Sequence, residues 1–131
     1  MGGNIFSPET RPNKNIRRGD IWYIGSTDDD ETCGSLQESD RPAIIVSNNA
    51  CNTHSSVVEI VYLTTRPKKR LPTHVIIDSA RKRSTALCEQ IDSVTVDKLL
   101  NYYGQCTAHE MRRIDAALAI SLGLTALSKK Y

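Results

Sequence analysis

Five short apolar runs succeed one another along the chain, and no helical period separates the first four. They occupy residues 21–24 (Ile-Trp-Tyr-Ile), 42–47 around Ala43-Ile44-Ile45-Val46, 57–63, 74–77 and 85–91. Each has the length of a single strand and is rich in β-branched or aromatic side chains, which suit a pleated, half-buried surface. With no crossover helix between them, neighbouring runs are expected to pair antiparallel. A chain of 131 residues fits one domain and can bury a modest core without staples.

The end of the chain follows another period. Thr107-Ala108-His109-Glu110 fits a capping box, in which Thr and Glu satisfy free helix N–H groups reciprocally. Met111, Ile114, Leu118 and Leu122 then recur at steps of three or four, one apolar stripe, and Gly123 is a natural stop. A shorter helix is expected over residues 96–103. The implied fold class is α+β, mainly β: a small curved sheet or barrel with a C-terminal helix. Residues 1–15, polar and holding Pro8 and Pro12, read as a flexible N-terminal extension. Residues 16–124 form the expected domain and 125–131 a tail.

Composition excludes several classes. No apolar stretch reaches membrane-spanning length, and the first 15 residues lack the apolar centre of a secretory leader, so the expected location is cytoplasmic and no membrane partner is expected. Cys33, Cys51, Cys88 and Cys106 form no CxxC pair and have no His at zinc-finger spacing; reduced thiols and no metal site are expected. GxxxxGK[ST], HExxH and G-x-S-x-G are all absent. His74 lies in a strand and His109 in the capping box, both structural settings, while His54 falls in a polar turn.

Net charge is only +2, but it is unevenly spread. Residues 26–40 contain Asp28, Asp29, Asp30, Glu31, Glu38 and Asp40 and no base, and they show no hydrophobic period. Such a long loop in a compact domain is often functional. Residues 66–83 contain Arg66, Lys68, Lys69, Arg70, Arg81, Lys82 and Arg83 against the single acid Asp78. That density can form an electrostatic footprint for phosphates, or a solvated surface.

Arg41 immediately precedes one buried run, and Thr64-Thr65 immediately follow another. If these strands pair antiparallel, Arg41 and both threonines converge on one rim. A guanidinium fork with hydroxyl donors suits a phosphate; the competing reading is an Arg that ties the loop to the sheet.

Five blocks now stand in a recognisable order: Arg18-Gly19-Asp20-Ile21-Trp22, Arg41-Pro42-Ala43-Ile44-Ile45-Val46-Ser47-Asn48, Leu71-Pro72-Thr73-His74-Val75, Glu89-Gln90-Ile91, and Asp115-Ala116-Ala117-Leu118-Ala119-Ile120-Ser121-Leu122-Gly123. From about Ile16 to Leu124 the chain resembles MazF/PemK-type toxins. The resemblance implies an SH3-like barrel (CcdB/PemK-like) with helices, usually a homodimer. It implies a sequence-specific endoribonuclease, an mRNA interferase that needs no cofactor, acts on single-stranded RNA and has a cognate antitoxin. By position, Arg41 falls on the family's catalytic arginine and Thr64 on its catalytic threonine or serine. Gln37, Asn48, Thr65 and Gln90 fall on or beside positions lining the RNA groove. Leu36 stands where the family loop often has an acid, with Glu38 nearby. CcdB-type gyrase-binding toxins share the fold and act without catalysis. That activity and a catalytically impaired RNA-binding module are the alternatives that fold alone leaves open.

Overall fold

The computed structural model describes residues 15–25 and 41–124. The expected extension up to residue 14, the loop 26–40 with Gln37, Leu36 and Glu38, and the tail 125–131 lie outside them.

Six strands form one antiparallel sheet: β1 (Asp20–Ile24), β2 (Arg41–Ile45), β3 (Val57–Thr64), β4 (His74–Ile77), β5 (Ser84–Thr95) and β6 (Leu99–Gln105). A short helix α1 (Asn49–His54) follows β2, and α2 (Ala108–Leu122) ends the described chain. The spatial order is β4-β5-β3-β2-β1-β6. The mainly-β α+β class with a C-terminal helix is therefore the one observed. Among the described residues no helix is long and apolar enough to cross a membrane.

Strand alternation explains where the core lies. Ile21, Ile44, Val61 and Leu63 point to one face and meet Ile114, Ala117 and Leu118 of α2. The intervening residues Trp22, Ala43, Ile45, Val58 and Ile60 point to the other face and pack with Val94, Val96 and Leu99. Both faces are thus apolar, which is why the runs read as nearly continuous hydrophobic stretches.

The capping box at Thr107 and Glu110 is present, and Gly123 ends α2 in the left-handed region at φ 71°. The buried stripe is narrower than expected. Ile114, Ala117, Leu118 and Ala119 are covered, but Leu122 is 59% exposed.

Three expectations are corrected. Residues 96–103 are not a helix: a 3-10 turn over Val96–Lys98 leads into β6, which pairs with β1. Val96, Leu99 and Tyr103 mimic helical spacing, but β1 offers this segment an antiparallel ladder, interrupted by two register shifts, on its side away from β2. Neighbouring strands do not all pair: β3 lies beside β5, and β4 pairs with β5 at the sheet's edge. His54 ends α1 instead of lying in a turn; Asn48 caps that helix, its side chain accepting from Cys51 N.

Candidate active site

The β2–β3 register pairs Ala43 with Tyr62 and Ile45 with Ile60. Carried two residues on, it sets Arg41, the first residue of β2, opposite Thr64, the last of β3. Arg41 and Thr64 therefore share a rim for a reason built into the sheet, as the sequence implied. The cleft there has a volume of about 600 Å³, and Arg41, Thr64, Thr65 and Gln90 all line it. Its other cations are Arg66, Lys68 and Lys82, and no carboxylate is among the described lining residues. The basic run 66–83 thus contributes to the site from both of its ends. A second groove of about 720 Å³ continues from Lys68 past Lys69, Arg70 and Arg113.

Gln90 reaches the cleft through a break in the ladder. Val61 faces Ile91, but Tyr62 faces Leu87. Cys88, Glu89 and Gln90 of β5 are therefore left without partners on β3, an enlarged bulge that bends the strand and re-aims its side chains. The bulge is tied on its β4 side. Cys88 N donates to Thr73 O at 2.9 Å, Thr73 Oγ1 donates to Glu89 Oε1 at 2.8 Å, and His74 Nε2 lies 3.0 Å from Glu89 Oε2. Burial works to raise the Glu89 pKa, but the hydrogen bonds from His74 and Thr73 outweigh it and hold the carboxyl below its ordinary range.

Thr64 is half-buried, and its Oγ1 accepts from Arg66 N at 3.1 Å. A threonine hydroxyl has one proton to give and two lone pairs, so this bond fixes the oxygen while leaving the proton able to point into the cleft. Arg41 is also half-buried. Its guanidinium lies over the Tyr62 ring, 4.3 Å from the centroid, and among the described residues it forms no ion pair with a carboxylate.

Another part of the cleft wall is aromatic. Tyr23 and Tyr103 both line the cleft, with ring centroids 5.7 Å apart. Arg81 lies over Tyr103 at 4.5 Å. The loop carrying Arg81 and Lys82 is anchored by Glu110. Besides its capping bond from Thr107 N, Glu110 accepts from Asp78 N at 2.8 Å and from Ser79 Oγ at 2.6 Å. One buried carboxylate thus starts α2 and fixes the basic loop. Burial alone would raise its pKa, but these donors hold it below the ordinary value.

Asn48 is not in this group; it stands at the opposite end of β2, capping α1. Gln37 lies outside the described residues. Sequence reasoning missed Tyr23, Tyr62, Tyr103 and Asp92. The two aromatics of the wall could have been sought as stacking surfaces beside a basic run. Tyr62 and Asp92 meet only through the β3–β5 pairing.

An arginine and a threonine at the ends of neighbouring strands line one cationic cleft, on this sheet with a capped C-terminal helix. Residues 17–122 fit the family described as PemK-like, MazF-like toxin of type II toxin-antitoxin system. The chain belongs to that family. It is 31% identical over 118 residues to endoribonuclease MazF9 of Mycobacterium tuberculosis, spanning 83% of this chain and 98% of that protein. A solved mycobacterial endoribonuclease in complex with its cognate antitoxin superposes with a TM-score of 0.69 at 32% identity, covering 83% of this chain and 96% of the other. MazE–MazF from Deinococcus radiodurans gives a TM-score of 0.68 at 17% identity, covering 85% and 98%, a likeness of fold.

Proposed function

We propose that this chain is an endoribonuclease toxin that cuts single-stranded RNA at specific short sequences and is restrained by a cognate antitoxin. The observation that carries the chemistry is that Arg41 and Thr64 line one cleft among cations, within a chain whose relatives are named endoribonucleases. RNA holds its own nucleophile: the 2′-OH attacks the adjacent phosphorus, the 5′-oxygen leaves, and the products are a 2′,3′-cyclic phosphate and a 5′-OH. No metal-activated water is required. The protein orients the hydroxyl and stabilises the added charge on the phosphoryl oxygens. Arg41 suits charge stabilisation and, with its very high pKa, makes a poor base. Thr64 Oγ1 holds the 2′-OH or a phosphoryl oxygen. Thr65 and Gln90 contact the RNA, whose bases splay into pockets when single-stranded. Asn48 and Gln37 are proposed groove residues that the cleft as described does not include. The protein acts in the cytoplasm as a homodimer.

The test is incubation of the purified protein with a long unstructured RNA in excess EDTA, followed by mapping of the new ends. Cleavage at a recurring short sequence with 5′-OH ends is expected. Cleavage abolished by EDTA, or 5′-phosphate ends, contradicts the mechanism. Intact RNA both with and without EDTA contradicts the assignment.

A further inference from the structure

Tyr62 carries Arg41 without lining the cleft. Its ring lies under the guanidinium at 4.3 Å, and its hydroxyl donates to Asp92 Oδ2 at 3.0 Å. The three residues come from three adjacent strands, β2, β3 and β5. The registers Ala43↔Tyr62 and Ile60↔Asp92, with strand alternation, put all of them on one face of the sheet. They run diagonally across it, at a spacing that long and aromatic side chains can bridge.

Among the described residues, this arrangement gives the arginine a seat without a carboxylate bonded to it. A carboxylate bonded directly to Arg41 would fix it well but would compete with a phosphate for the guanidinium donors. Here the carboxylate engages the tyrosine hydroxyl, and the cation rests on the ring. Donation of that hydroxyl to an anion raises electron density on the ring, and the negative ring face is what attracts a cation. The hydroxyl stays a donor: desolvation, reinforced by the Asp92 hydrogen bond and charge and opposed by Arg41, pushes its pKa up to about 12.

We infer that Tyr62 and Asp92 are positioning residues for Arg41, the tyrosine ring seating the guanidinium and Asp92 locking the ring. The role in turnover rests on the ribonuclease reading above; the seat itself does not. The experiment therefore has two readouts, single-turnover cleavage of a single-stranded RNA oligonucleotide and NMR of the Arg41 side chain in the full-length protein. Tyr62→Leu is expected to slow cleavage roughly 3- to 30-fold, the range of a cation–π contact. Tyr62→Phe, which keeps the ring but loses the lock, and Asp92→Ala, which removes the lock's acceptor, are both expected to fall between Tyr62→Leu and the wild type. In the wild type the Arg41 side-chain protons should show an upfield ring-current shift, kept in Tyr62→Phe and lost in Tyr62→Leu. The Arg41 Nε–H order parameter should fall most in Tyr62→Leu and less, to similar extents, in Tyr62→Phe and Asp92→Ala.

A Tyr62→Leu variant that folds, cleaves at the wild-type rate and leaves Arg41 unshifted overturns the inference. So does Tyr62→Phe slowed as much as Tyr62→Leu. Should Tyr62→Leu not fold, an unchanged Arg41 order parameter in Asp92→Ala has the same force. A wild type that cleaves no RNA while the NMR signatures appear overturns the ribonuclease reading and supports the seat.

Discussion

The two ends of β2 treat polar side chains in opposite ways. At its C-terminal end the polar groups engage one another: Ser47 Oγ donates to Asn52 Oδ1 at 2.5 Å, Asn52 Nδ2 donates to Ser47 O at 2.9 Å, and Arg18 N donates to Asn49 Oδ1 at 2.7 Å. Asn52 is fully buried. At the N-terminal end, Arg41, Arg66, Lys68 and Lys82 meet around a cleft with no carboxylate among its described lining. One end uses hydrogen bonding to hold a turn and a short helix in place; the other, among the described residues, gathers cations with no carboxylate in the lining. Among the described residues, the ends of this one strand are therefore told apart by whether their polar groups are bonded to one another.

The sharpest way to break this contrast is to remove one residue from each end. Arg41→Ala is expected to lower the single-turnover cleavage rate by about 10²–10³-fold, the usual loss for a charge-stabilising donor, while stability stays within about 1 kcal/mol. Asn52→Ala should do the reverse, destabilising by about 2–3 kcal/mol because Ser47 loses buried partners, with the cleavage rate of the folded protein unchanged. Denaturant melts beside RNA kinetics separate the two; equal effects of both variants on cleavage would erase the distinction.

Glu110 tests whether the basic loop belongs to the structural or the ligand-ready side. Its folded pKa is depressed, so its carboxylate contributes stability above the ordinary value of 4.5, and that contribution is lost as pH falls through the lower folded value. Glu110→Gln points an amide at donors that need an acceptor. It should cost about 1–2 kcal/mol at neutral pH, and the difference from wild type should shrink in acid. A pH-independent difference in stability would count against this account. The smallest effect is expected at the cleft's edge: Lys82→Ala should reduce the slope of log affinity for single-stranded RNA against log salt by about 0.7, measured by a binding titration. An unchanged slope would place Lys82 outside the phosphate path.

Much of this was legible in the sequence, for identifiable reasons. β1 to β3 were readable because their apolar residues are contiguous and bounded by polar turns. α2 was readable because Thr107, Glu110 and Gly123 mark its ends with local chemistry. Arg41 and Thr64 could be brought together because pairing of β2 with β3 is the simplest antiparallel connection. What failed depends on partners distant in sequence. β6 forms against β1, roughly 80 residues upstream in the antiparallel ladder, and its apolar spacing alone favours a helix. The β5 bulge that delivers Gln90 has no local mark, because Cys88-Glu89-Gln90 reads as ordinary strand. The Tyr62–Asp92 bond joins residues 30 apart across that same irregular ladder. α1 was hidden because Asn-Ala-Cys-Asn-Thr-His has no apolar stripe, and Asn48 reads equally as a strand stop or a helix cap.

The pairing of β1 with β6 also bears on how this protein is made. β1 has β2 on one side and β6 on the other, so its second edge stays open until residue 105 has left the ribosome. At the usual 5–20 residues per second, the first 105 residues take roughly 5–20 s to synthesise. A nascent chain halted before β6 already contains Arg41, Thr64 and Gln90, but it lacks Tyr103 and the strand that completes the wall. Products of an interrupted translation that end before β6 thus carry Arg41, Thr64 and Gln90 without the part of the lining that Tyr103 supplies.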